Sequence, residues 1–283
     1  MIFHDLSEEC YEWLEKQTCV KEESLTDWLL YQATQRSNRV FYTTFTRNEE
    51  SHVGADWEWW ILTEDRYGLS AYRLLVQAKK LKKKTDNYSS ITYGNRNGMQ
   101  IDLLLSNAIK RQALPLYAYY INSHPDINEQ INNFNFIDEK IIRWCEGCTN
   151  GVYLSPALTV RKRVIEQPKR KISHKELIDN SLGLSLFDLL FRETPEDKTI
   201  SLSLLDFLNK LFSDLCRENM SIDNNGNFRY RNENRGFKYS REQFPNYLNS
   251  LLQSQGQTMD WFESEFHREF EGLSGVAVID TRK

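Results

Sequence analysis

The sequence predicts an α/β (α+β) protein, with a mixed central sheet flanked by helices and a mainly helical C-terminal extension. Three observations support this class. Helical and strand-like segments alternate along the first 122 residues, a basic turn follows an apolar strand, and a buried strand closes the unit. The 283 residues are 40% hydrophobic and 27% charged, which is typical of a globular chain long enough to bury a large core.

Helical spacing accounts for three segments of this first unit. Leu25, Leu29 and Ala33 recur on one face between residues 22 and 34, as expected of an amphipathic helix. A shorter helix is predicted over residues 6–16, and another over residues 100–111.

Strands are predicted where aromatic and β-branched residues cluster. Segments 39–46, 53–62 and 72–80 have this character and are separated by acidic or glycine-containing connectors, a pattern that favours strands joined by turns. Segment 115–122 resembles a fully buried strand. The order is therefore helix, three strands, helix, strand.

The second half of the chain gives weaker patterns. Helices are predicted around residues 138–144, 174–192, 202–218 and 262–270, an extended segment over 152–160, a loop over 221–240 and a last strand over 275–280. On these patterns we divide the chain into residues 1–165, which carry the sheet, and residues 166–283, a helical extension that could pack on the same core.

Bulk properties exclude several classes of protein. The formal net charge is -4, so the chain has no overall attraction to nucleic acid, although a local basic patch is sufficient for binding. No apolar run approaches the ~20 residues of a membrane span. The first nine residues include three acids, unlike a signal peptide. Five cysteines in a long chain favour reduced thiols and a cytoplasmic location.

One group of polar residues lies on neighbouring predicted strands. Since side chains alternate between the two faces of a strand, Asp56 and Glu58 share a face, as do Gln77 and Lys79. If the two strands pair, these four side chains can converge at one end of the sheet. Gly54, two residues before Asp56, would leave room near the backbone.

This group has a chemical use. Carboxylate and amide oxygens suit Mg²⁺ or Mn²⁺, and Asp56, Gln77 and Glu58 are the candidate metal ligands. A bound ion activates water and offsets charge on a phosphate, while Lys79 could stabilise the attacking water or the transition state. The alternative is an exposed strand face that runs into a solvated lysine cluster.

The segments GADWEWWI and VQAKK resemble the PD-(D/E)xK nuclease superfamily, in the variant in which Gln replaces the second acid, as in Mrr-type restriction endonucleases. The resemblance covers roughly residues 20–122. It implies a restriction-endonuclease-like αβββαβ core, with Asp56 as the metal-binding acid. Gln77 would stand at the second acid's position, and Lys79 would be the catalytic lysine.

The sequence also departs from that pattern. Ala55 stands where a proline precedes the Asp, and Gln77 is a neutral ligand, for which we expect Glu58 to compensate. Many relatives carry an acid on the first helix, which favours Glu22 here. The Gln-x-x-x-Tyr pattern of some relatives is half present, because Leu104 stands four residues after Gln100, at the position of the tyrosine.

Two further features have alternative interpretations. The basic run of Lys80, Lys82, Lys83 and Lys84 could hold a nucleic-acid backbone or form a solvated loop. The Cys145-x-x-Cys148 pair lacks the second pair that a zinc site requires, so structural thiols are favoured.

These observations predict a metal-dependent endonuclease or phosphodiesterase that cuts nucleic acid, with DNA favoured over RNA. The resemblance implies a restriction-like role in bacterial antiphage defence and a homodimer, and the C-terminal half could bind a partner protein. No membrane partner is expected. The alternative function is a catalytically inactive module of the same fold that binds nucleic acid or a protein.

Overall fold

A computed structural model describes most of the predicted core. The described residues are 2–45, 53–65, 68–81, 94–95, 98–122, 151–164, 176–177, 181–191, 220–222, 228–230, 238–255, 265–266 and 268–282. The helices expected over 138–144 and 202–218 lie outside them, as do Lys82, Lys83, Lys84, Cys145 and Cys148.

The first unit has the expected order of elements. Two helices come first and are followed by three strands: α1 (Ile2–Lys16), α2 (Glu22–Arg36), β1 (Val40–Thr44), β2 (Trp57–Asp65) and β3 (Gly68–Lys80). A pair of two-residue strands leads into a helix and a strand: β4 (Gly94–Asn95), β5 (Gly98–Met99), α3 (Gln100–Arg111) and β6 (Leu114–Tyr120).

The later elements are shorter. They are β7 (Val152–Pro156), α4 (Ala157–Val164), β8 (Leu182–Gly183), a 3-10 helix (Leu184–Phe191), β9 (Met220–Ile222), β10 (Phe228–Tyr230), β11 (Lys238–Ser240), a 3-10 turn (Arg241–Gln243), α5 (Asn246–Ser254) and β12 (Gly275–Asp280).

Most strands join one mixed sheet, which confirms the predicted class. The strand order is β1-β12-β2-β3-β6-β7-β8, and β11 pairs with the beginning of β3. The β2–β3 pair is antiparallel, with Trp57 opposite Val76. The β3–β6 pair is parallel, with Gln77 beside Tyr117. The predicted neighbours β2 and β3 therefore do form a hairpin.

The C-terminal segment contributes strands as well as helices. Strand β12 lies inside the sheet, antiparallel to β1 and parallel to β2. All but the last of its six residues are buried, as expected of an apolar strand covered on both faces. Residues on either side of the predicted boundary at 165–166 thus share one sheet.

Three expectations for the second half were wrong in part. The helix expected around 174–192 is interrupted by strand β8, which pairs with β7, and continues as the 3-10 helix over Leu184–Phe191. Residues 157–160 are helical, not extended, because Pro156 closes the strand and a short apolar run does not distinguish a strand from a buried helix. The predicted loop over 221–240 contains short strands in its described parts, β9–β10 and β11. Backbone pairing forms such strands even where the side chains show no alternation.

Helices cover both faces of the sheet. On one face, α1, α2 and the 3-10 helix pack on a cluster that includes Trp57, Trp59 and Val76. On the other face, α3, α4 and α5 pack on a cluster that includes Trp60 and Leu75. Among the described residues, no helix is both long and apolar enough to cross a membrane.

Candidate metal-dependent active site

Asp56 is fixed by its main chain just before β2 begins. Its N–H donates to the carbonyl of Val76 (2.9 Å), and its carbonyl accepts from the N–H of Ser274 (2.6 Å), next to β12. The side chain is 8% exposed. The acid is therefore held between the β3 strand and the segment entering β12, with its carboxylate at the sheet end.

Gln77 lies directly against this carboxylate. Continuing the β2–β3 register by one pair places Gln77 opposite Asp56, and the Gln77 Nε2 donates to Asp56 Oδ2. The same nitrogen donates to the Ala78 carbonyl (3.0 Å), and the Ala78 N–H donates to Asp56 Oδ2 (2.9 Å). Two adjacent residues of β3 thus donate hydrogen bonds to one carboxylate oxygen.

Lys79 follows on the same face of β3 and is only 6% exposed. Its Nζ lies 3.4 Å from Glu22 Oε1, and Glu22 Oε2 accepts from the Lys80 N–H (3.1 Å). Helix α2, which begins at Glu22, is anchored to the sheet where Tyr120 donates to Thr26 Oγ1 (2.8 Å). Glu22 is therefore positioned to orient Lys79.

Helix α3 closes the other side of the group. Gly54 has φ +75°, and a Cβ at that position would lie 2.4 Å from the Leu104 nitrogen and 2.6 Å from the Gln100 carbonyl oxygen. Only glycine allows this approach. It brings the first turn of α3 beside Asp56, and Gln100 Nε2 donates to Gln77 Oε1 (2.8 Å).

Two buried polar atoms of this region, one on Gln100 and one on Tyr117, lack partners in the described part of the chain. Within the described residues, neither Gln100 Oε1 nor the Tyr117 hydroxyl has a hydrogen-bond partner. Burial raises the pKa of Tyr117, and the negative charges of Asp102 and Asp56 raise it further. Unsatisfied buried groups of this kind call for a water, an ion or a ligand.

Glu58 shares the face of Gln77, as alternation predicts, but belongs to a different group. Its carboxylate is fully buried and accepts from Trp60 Nε1 (2.7 Å), from Arg73 (2.7 Å) and from the Tyr247 hydroxyl. Arg111 lies 3.9 Å away. These donors occupy both oxygens, so we leave Glu58 out of the proposed ligand set.

The charges in this second group depend on one another. Burial works against the charged form of Arg73, yet the Glu58 carboxylate contributes to a pKa of Arg73 above its ordinary value. Burial raises the pKa of Tyr247, and the negative charge of Glu58 raises it further. The group joins β2 and β3 to α5 and is a structural link between the two halves of the chain.

The basic run is only partly described. Lys80 turns away from Lys79, and its Nζ donates to the carbonyls of Thr18 (2.9 Å) and Val20. Lys80 thus holds the α1–α2 connection in this structure. The three tryptophans at 57, 59 and 60 are at most 1% exposed, which places them in the core and not on a base-stacking surface.

The donor atoms at Asp56 fit a hard cation. The point now taken by Gln77 Nε2 faces a carboxylate oxygen of Asp56 and the Ala78 carbonyl oxygen, and Mg²⁺ and Mn²⁺ prefer such ligands. No group of three or more His, Cys, Asp or Glu side chains suited to a metal occurs in the described ranges. Asp56 would therefore act with neutral oxygens and water, as Mg²⁺ commonly allows.

Several residues of the group had no sequence signal. The main-chain groups of Ala78 cannot be identified from side-chain patterns. Tyr117 was visible only as part of an apolar strand. Gln100 matches half of the Gln-x-x-x-Tyr pattern, but its contact with Gln77 depends on how closely α3 approaches the sheet.

The fold and the group of polar residues together describe a mixed α/β protein with a polar cluster at one sheet end. A family model matches residues 1–283, and the chain belongs to that family, described as "Family of unknown function (DUF6615)". Comparison with curated proteins gave no match, and neither did comparison with solved structures.

Proposed function

We propose that this chain is a metal-dependent nuclease that hydrolyses phosphodiester bonds of nucleic acid, with DNA as the favoured substrate. The observation that carries the proposal is the hydrogen bond between Gln77 and Asp56 at one end of the β2–β3 hairpin, with Lys79 two residues beyond Gln77 on the same face of β3. The resemblance to PD-(D/E)xK nucleases gives the same three residues the same roles.

Each residue then has a defined task. Asp56 and the Ala78 carbonyl would hold Mg²⁺ or Mn²⁺, with Gln77 as a neutral third group. Such an ion, when bound, supplies an activated water and offsets charge on the phosphate. The Lys79 ammonium would donate to the attacking water or to a phosphoryl oxygen, and Glu22 would keep Lys79 in place.

The test is cleavage of plasmid and linear duplex DNA by the pure protein with Mg²⁺ or Mn²⁺, beside an EDTA control. The matched variants are Lys79→Ala and Lys80→Ala, which remove the same charge at adjacent positions. Cleavage should be lost in Lys79→Ala and retained in Lys80→Ala, because Lys80 bonds to backbone carbonyls outside the group. Equal loss in both variants, or cleavage that persists in EDTA, would contradict the proposed site.

A non-catalytic module of this fold is the second candidate. It is favoured by one observation: Asp56 and Gln77 bond to each other, and Lys79 to Glu22, so these three side chains already have protein partners without a metal. Mn²⁺ binding separates the two functions. The nuclease requires Mn²⁺ binding that Asp56→Asn weakens. A non-catalytic module does not require Mn²⁺ binding, and Asp56→Asn need not affect it.

The proposed biological setting is restriction-like defence against phage, which follows from the resemblance alone. Phage plating on a bacterial host that expresses the chain should fall, and Lys79→Ala should restore it. Unchanged plating with both forms would exclude this setting for the phages tested and would leave the chemistry to the cleavage assay.

A further inference from the structure

The amides of Gln77 and Gln100 form a chain of hydrogen bonds that ends on the Asp56 carboxylate. Gln100 Nε2 donates to Gln77 Oε1 (2.8 Å), and Gln77 Nε2 donates to Asp56 Oδ2 and to the Ala78 carbonyl. An amide has one donor end and one acceptor end. The Gln100 donor therefore keeps the Gln77 NH₂ turned toward the oxygens of Asp56 and Ala78.

This arrangement works against a cation at Asp56. The NH₂ group takes the place that faces both oxygens, and the amide oxygen of Gln77 points away from it. A half-turn of the Gln77 amide would bring three acceptor oxygens together, those of Gln77, Asp56 and Ala78. Their mutual repulsion disfavours that state in the absence of a positive charge, and a divalent cation among them reverses the balance.

Gln100 must turn with Gln77. After the half-turn, Gln77 Nε2 would face Gln100 Nε2, and two donors cannot bond to each other. If the Gln100 amide also turns, its Oε1 accepts from Gln77. That oxygen is the buried atom that lacks a partner in the described state, and an unpaired buried acceptor is costly. The turned state gives it one, while the Gln100 NH₂ gives up the Gln77 oxygen that it bonds to now. This exchange by itself favours neither state, so the cation decides between them.

We propose that Gln77 and Gln100 form a coupled amide pair whose joint half-turn admits the cation at Asp56, so that Gln100 sets metal affinity without touching the metal. The inference rests on the metal site of the proposed function. Gln100 is in this sense a positioning residue.

The substitution Gln100→Glu tests the coupling, because a carboxylate only accepts. The introduced carboxylate would hold the Gln77 NH₂ toward itself and leave the Gln77 oxygen facing Asp56. We expect Mn²⁺ to bind Gln100→Glu about tenfold more tightly than the native chain, or about 1.4 kcal/mol, measured by calorimetry or by electron paramagnetic resonance of free Mn²⁺. In EDTA the variant should melt at a lower temperature than the native chain, and Mn²⁺ should reverse the loss.

Added negative charge alone would also attract a cation, so the experiment is a double-mutant cycle. The four proteins are the native chain, Gln100→Glu, Gln77→Met and the double variant. In the Gln77→Met background no amide is left to orient, and the gain from Gln100→Glu should shrink to the effect of charge, about twofold to threefold. Gln253→Glu, an exposed site on α5, controls for net charge and should leave Mn²⁺ affinity unchanged.

The outcomes separate this inference from the proposed function. An equal gain in both Gln77 backgrounds, or no gain, overturns the amide coupling. If Asp56-dependent Mn²⁺ binding and cleavage persist in that case, the nuclease stands. A gain confined to the Gln77 background supports the coupling even if no nucleic acid is cut, in which case the catalytic proposal fails alone. Absence of Mn²⁺ binding in all four proteins overturns both.

Discussion

Gly54 should be among the least replaceable positions next to the candidate site. Its φ of +75° is costly for any residue with a Cβ, and that Cβ would lie 2.4 Å from the Leu104 nitrogen, 2.6 Å from the Gln100 carbonyl oxygen and 2.9 Å from Leu103 Cβ. Two of these atoms belong to the backbone of α3. The helix, or the segment that leads to Asp56, must therefore move by several tenths of an ångström or more.

The loss of stability expected for Gly54→Ala has two parts. A left-handed conformation costs an alanine about 1–2 kcal/mol, and forcing extra atoms into a packed contact costs about 1–3 kcal/mol more. Gly54→Ala should therefore lower the free energy of unfolding by about 2–5 kcal/mol. Gly68 provides a matched control, since its φ is +105° and an added Cβ meets nothing within 4 Å. Gly68→Ala should show only the conformational part.

Urea unfolding, monitored by tryptophan fluorescence, measures the free energy of unfolding of both variants. If Gly54→Ala is no more destabilising than Gly68→Ala, the close approach of α3 to the Asp56 segment is not a real constraint, and the account of the site geometry is wrong. If Gly54→Ala is the more destabilising but still folded, its Mn²⁺ affinity should also fall, because the displaced segment moves the Asp56 carboxylate away from Gln77 and Ala78.

Three further predictions concern groups away from the proposed ligands. Glu58→Ala should destabilise the fold by about 3–5 kcal/mol by leaving the Arg73 charge buried without its partner; loss of Mn²⁺ binding in folded Glu58→Gln would instead return Glu58 to the ligand set. Tyr247→Phe should cost about 1–3 kcal/mol in urea unfolding, because it removes a buried donor to Glu58, and an unchanged midpoint would show that this bond contributes little. Burial raises the pKa of Asp188 above its ordinary 3.8, although the backbone N–H groups of two α1 residues oppose the shift. The folded chain therefore binds this proton more readily than the unfolded chain, and the contribution of Asp188 to stability rises as pH falls through the raised pKa. The stability of the native chain relative to Asp188→Asn should accordingly improve from pH 7 toward pH 4 in matched urea titrations, and the opposite slope would refute the raised pKa.

Local patterns were sufficient for the elements that build the site. The spacing of Leu25, Leu29 and Ala33 predicted α2, and the apolar strands on either side of a turn predicted the β2–β3 hairpin. Once those two strands pair, alternation alone places Gln77 and Lys79 on one face. The sequence also indicated a glycine with a spatial role, because Gly54 stands two residues before the acid.

Alternation could not tell which acid on that face would lie against Gln77 and which would be held by an arginine. Asp56 and Glu58 look equivalent in the sequence, since both point to the same side of β2. Glu58 accepts hydrogen bonds from Arg73 of the next strand and from Tyr247 of α5, which is 189 residues away in sequence. Local spacing carries no information about partners at such separations.

The sequence by itself determined the mixed α/β class, the β2–β3 hairpin and the candidate residues Asp56, Gln77 and Lys79. These depend on periodicity and on neighbours along the chain, which a single sequence displays. Only the tertiary structure decided that β12 enters the sheet beside β2 and that α3 lies close enough for Gln100 to bond to Gln77. Those features arise because backbone hydrogen bonding and core packing join segments far apart in sequence, and such contacts are chosen by the whole fold.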